Sequence, residues 1–105
     1  MPEKTRKEQL EEMLAESPED AFLRYGLAME YVSAGDDETA LRHFRELITV
    51  EPGYVPAYLM AGRACERLGH NDEAAKVYRL GMPVAQQKGD LHALEEMRGF
   101  LAGLE

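Results

Sequence analysis

Residues 35–52 read GDDETALRHFRELITVEP, and residues 69–86 read GHNDEAAKVYRLGMPVAQ. Laid over one another at a spacing of 34 residues, Gly35 falls on Gly69, Glu38 on Asp72, Ala40 on Ala74 and Phe44 on Tyr78. The register extends backwards, with Leu27-Ala28 on Ala61-Gly62 and Pro18 on Pro52, so the match runs from residue 18 to residue 78. Coincidence over that length marks a duplicated structural unit rather than a biased composition.

The residue types explain what the unit is. Gly35 and Gly69 stand where a helix has to end, because a left-handed residue there satisfies orphan carbonyls and glycine enters that conformation freely. Asp36-Asp37-Glu38 and Asn71-Asp72-Glu73 then supply caps and negative charge to the unpaired amides of the next helix. Ala40, Ala74 and Gly62 are small where two antiparallel helices approach closely, and Phe44, Tyr78 and Tyr31 fill the space between them.

The pattern predicts helices near 5–16, 20–34, 37–50, 55–68, 71–88 and 90–104, joined by short connections. Leu10, Met13, Leu14 and Pro18 precede Phe44, Leu47, Ile48 and Pro52 by one period, so the first helix reads as the second half of a missing unit. It would cover one end of the stack, and the last helix, with Leu91, Leu94, Met97, Leu101 and Leu104, the other. Gly81-Met82-Pro83 interrupts the fifth helix, and Pro83 cannot donate to the Arg79 carbonyl, which predicts a kink or break. Gly89-Asp90 reads as a stop followed by the cap of the last helix.

These positions resemble the tetratricopeptide repeat. The family's aromatic, Leu-Gly and Tyr positions are met by Tyr58, Ala61-Gly62 and Cys65 in the second unit, and by Leu27-Ala28 and Tyr31 in the first, where Arg24 replaces the leading aromatic. Its later Ala, aromatic and Pro are met by Ala40, Phe44 and Pro52; the second unit has Ala74 and Tyr78 but Gln86 in place of Pro. The resemblance implies an all-α fold: a single domain over 1–105, its antiparallel helix-turn-helix repeats stacked as a short right-handed solenoid of about six helices. The divisions would be a half-repeat helix at 1–18, repeat 1 at 19–52, repeat 2 at 53–86 and a capping helix at 87–105.

Composition narrows the function. The chain has 105 residues, a formal charge of -8, 45% apolar and 30% charged residues, which suits one folded domain. So acidic a chain is unsuited to nucleic acid, whose phosphates require a concentrated basic surface. Nothing approaches the ~20 apolar residues needed to span a bilayer, so no membrane partner is expected. The single cysteine excludes an intramolecular disulfide, and the first eight residues lack the apolar run of a signal peptide, so a cytoplasmic location is expected. His43, His70 and His92 have no companion at metal-ligand spacing, Cys65 reads as a buried inert thiol, and the adjacent acids read as solvated helix faces or caps. No catalytic residue, metal or cofactor is expected, and the chain reads as a non-enzyme.

In the tetratricopeptide family, the first helices of successive units line a concave groove that takes a partner peptide or helix. The resemblance therefore points to Phe22, Tyr25, Met29 and Val32 from one unit and Leu59, Met60, Arg63 and Arg67 from the next, each set falling on one helix stripe. The family's chaperone-tail clamp of Lys, Asn and Arg is absent, since Tyr25, Met29 and Met60 stand at those places. The reading is an adaptor for another protein or peptide, with Arg63 and Arg67 at the edge for an acidic group. Two alternatives stay open: the terminal helices fold over this face as core, or a second copy closes it, or the last helix, as a homodimer.

Overall fold

The computed structural model describes residues 3–105; Met1 and Pro2 of the expected N-terminal half-repeat lie outside the described residues. Among the described residues six helices follow one another: α1 (Arg6–Glu16), α2 (Ala21–Ser33), α3 (Asp37–Val50), α4 (Val55–Arg67), α5 (Asn71–Lys88) and α6 (Leu91–Leu104). Each packs on its neighbours in sequence, and α6 also reaches back to α4, giving a body of 50 × 28 × 20 Å.

The ends of the helices show how the sequence sets their length. Thr5 and Glu8 cap each other's backbone at the start of α1, and the carboxylates of Asp20, Asp36 and Asp90 accept from the amides of Leu23, Thr39 and Ala93. Asn71 differs from the expectation: it is already helical, and His70 holds the cap position without a side-chain bond. Asp72 and Glu73 therefore act through their charge in the first turn. Gly35, Gly69 and Gly89 have φ of 79°, 79° and 76°. After each, the next amide reaches back over the turn, Asp36 to Tyr31, His70 to Cys65 and Asp90 to Ala85, at 2.8–2.9 Å.

Of the expected kink or break in the fifth helix, the break does not occur: α5 runs through Pro83. Pro83 and Arg79 lie on its exposed side, where a carbonyl without its usual partner is open to water. Gly81 has a different task. A Cβ there would stand 2.6 Å from Cβ of Tyr58 and 2.8 Å from Sδ of Met97, so its absence lets α5 touch α4 and α6 at once.

The core is divided. Phe44, Leu47, Ala57, Ala61, Cys65, Tyr78 and Met97 belong to a main cluster that extends to α6. Leu10, Leu14, Leu23 and Leu27 form a smaller one between α1 and α2, with Tyr31 packed against both.

Candidate functional site

The two stripes expected to line a groove differ in exposure. On α2, Phe22 is 72% exposed, while Tyr25 leans inward, its ring 6.0 Å from that of Phe44 and 5.5 Å from that of Tyr54. Met29 and Val32 are half-buried against the main core, as is Met60 on α4. Leu59 departs from the expectation of an exposed contact: it is 9% exposed and belongs to the core, because α4 has helices on three sides.

Both arginines are engaged within the chain. The Arg63 guanidinium lies 4.0 Å from the centre of the Phe100 ring, and its Nη1 donates to Glu66 at 3.2 Å. Arg67 bonds Oδ1 of Asp37 through Nε at 3.0 Å and Nη2 at 2.9 Å, which turns it toward the start of α3. Phe100 stacks at 5.9 Å on Tyr78, so α6 meets the second unit's part of the face at Arg63. The terminal helix thus touches this face at Arg63, which remains 38% exposed, whereas Phe22 is open. The sequence reading missed Phe100, which stands one residue off the apolar stripe of α6 that drew attention.

The stripe changes character between units. Arg63, Glu66 and Tyr78 occupy the places that Met29, Val32 and Phe44 hold one period earlier. The Tyr78 hydroxyl donates to Glu66 at 2.5 Å, and burial, reinforced by that carboxylate, pushes the phenol far above its usual range. One unit presents an all-apolar trio and the other a hydrogen-bonded polar one.

A separate open depression of about 620 Å³ runs along α3, bordered by Arg42, Arg45, Glu46 and Val50 and by Leu68 and His70 beyond α4. Cys65 is fully buried, and burial raises its thiol above the ordinary value, which disfavours the thiolate. Among the described residues no group of three potential metal ligands occurs, and no helix is long and apolar enough to cross a membrane.

A family profile described as "Tetratricopeptide repeat" matches residues 31–97, more than half of the sequence. The chain belongs to the tetratricopeptide repeat family. This tetratricopeptide repeat chain is 35% identical over 98 residues to the "TPR repeat-containing protein PA0015" of Pseudomonas aeruginosa, covering 93% of each. Among solved structures it resembles a tetratricopeptide repeat domain protein from Salinibacter ruber (TM-score 0.78, 36% identity, 84% of this chain and 89% of that one). It also resembles protein BPP2914 from Bordetella parapertussis (TM-score 0.83, 28% identity, 97% and 89%). Tetratricopeptide repeats generally serve as protein–protein interaction modules.

Proposed function

We propose that this tetratricopeptide repeat chain is an adaptor that receives a helix or extended segment of another protein on the face of α2 and α4. The observation that carries the reading is Phe22, a large ring left 72% exposed on the stripe that continues through Tyr25, Met29 and Val32. Met29 and Met60 border it with side chains that adapt to varied shapes. Arg63 stands at the margin, with guanidinium donors beyond the one given to Glu66 available to a carboxylate. Leu59 supports this face from beneath, and Arg67, bonded to Asp37 but 42% exposed, stands with Arg63 at the margin.

Capture from native lysate tests the reading when wild type is compared with Phe22→Glu and Met29→Glu, each checked for an unchanged circular dichroism spectrum. A protein retained by wild type and released by both variants supports it. Equal retention by all three rejects this face.

A further inference from the structure

His43 lies at the centre of a chain of contacts that ties three helices together. Its ring stacks on Tyr31 of α2 at 5.4 Å and 12°, and Nζ of Lys7 on α1 lies 4.9 Å from the centre of the Tyr31 ring. Nη1 of Arg24 lies 3.4 Å from Nδ1 of His43 and 2.7 Å from Glu46, while Nη2 donates to the Pro18 carbonyl at 3.4 Å.

The Arg24 contact favours one state of the histidine. A guanidinium has only donors, so this placement suits an accepting Nδ1, that is, a neutral ring with its proton on Nε2. We propose that His43 and Arg24 form an acid-sensitive joint in the first unit, whose protonation turns two donors against each other, pulls Arg24 off the Pro18 carbonyl and loosens the α1–α2 connection.

The second unit has no counterpart. One period on, Val77 replaces His43, Cys65 replaces Tyr31 and Tyr58 replaces Arg24, and the Tyr58 hydroxyl donates to the Pro52 carbonyl at 2.6 Å without any group that titrates near neutrality. The segment that would loosen also has its own small core of Leu10, Leu14, Leu23 and Leu27, which permits local opening while the main core persists.

The charges around His43 are mixed. Burial holds its proton affinity below the ordinary histidine value; Glu46 on its own helix and Glu11 on α1 oppose this, while Arg24 on α2 and Arg42 on α3 add to it. The unfolded chain therefore binds more protons at mildly acid pH, and stability falls as pH drops through the unfolded-state value toward the folded one.

The test is an NMR titration of the intact chain between about pH 8 and about pH 5, following the histidine rings and backbone amides. The His43 ring should titrate below the midpoint of the same residue in the urea-unfolded chain. The amides of residues 19–24 should shift with that midpoint, while those of α4 do not. A midpoint at or above the unfolded one, or silent amides at 19–24, overturns the proposal. Arg24→Gln should move the midpoint upward, and an unchanged midpoint would remove Arg24 from the joint. If that variant does not fold, the wild-type titration decides alone.

Discussion

Arg24 and Tyr58, one period apart, both donate to the carbonyl of the proline six residues before them, Arg24 to Pro18 at 3.4 Å and Tyr58 to Pro52 at 2.6 Å. Different chemistry serves one backbone need, the satisfaction of a turn carbonyl close to the start of the following helix. Arg24 does more than its counterpart, because it also joins Glu46 and His43. Arg24→Ala should lower stability by about 1 kcal/mol, whereas Arg24→Tyr, which restores a ring and a hydroxyl, should lose less. Thermal unfolding of both variants at one pH checks the order.

Glycines should divide by cause. A Cβ at Gly62 would stand 2.1 Å from the Tyr78 ring, so Gly62→Ala should cost about 1–3 kcal/mol through overpacking. Gly69 has open space but a φ of 79°, so Gly69→Val should cost about 1 kcal/mol or more through its backbone. Gly99 is helical with nothing within 4 Å of the position of its missing Cβ, and Gly99→Ala should stabilise by about 0.5–1 kcal/mol. Denaturant melts of the three would separate the mechanisms, and a stabilised Gly62→Ala would contradict the close approach of α4 and α5.

The Tyr78–Glu66 pair should be coupled. Tyr78→Phe removes the hydroxyl from a half-buried carboxylate and should cost about 1 kcal/mol. Adding Glu66→Val recreates the Phe44–Val32 pairing of the first unit and should recover part of that loss. A double-mutant cycle with additive effects would show that the two side chains do not depend on each other.

Acid should act at two separate points. Asp36 is held below its usual value mainly by the hydrogen bonds from Thr39, so its stabilising effect is complete above the ordinary aspartate range and lost as pH falls through the folded value. Asp36→Asn keeps a capping oxygen but cannot titrate. It should remove that acid limb from a plot of melting temperature against pH while leaving the His43 limb at milder pH.

Much of the fold was legible because backbone needs repeat with the sequence: the glycines of the turns, the capping aspartates and the small-against-aromatic pairs recur at one spacing. The continuity of the fifth helix is not legible because the local rule for proline ignores its surroundings, and the packing of Gly81 against Tyr58 and Met97 is a tertiary fact. The site was less legible. A helix stripe tells which residues share a side, but not that α6 brings Phe100 over Arg63 or that Asp37 claims Arg67, since both depend on contacts across 30 or more residues of sequence.

Self-association is separable from adaptor function by size exclusion with light scattering. The adaptor reading expects a monomer at micromolar concentration, as for a chain with a net charge of -8. A stable dimer dispersed by Met29→Glu would assign the face to a second copy instead.

The most direct measurement is backbone NMR mapping of a captured partner segment on the isotope-labelled chain. The largest shifts should fall on Phe22, Tyr25, Met29 and Met60, with Arg63 at their edge. Shifts confined to the depression along α3, or to the outer side of α6, would contradict the α2–α4 face as the place where this chain meets its partner.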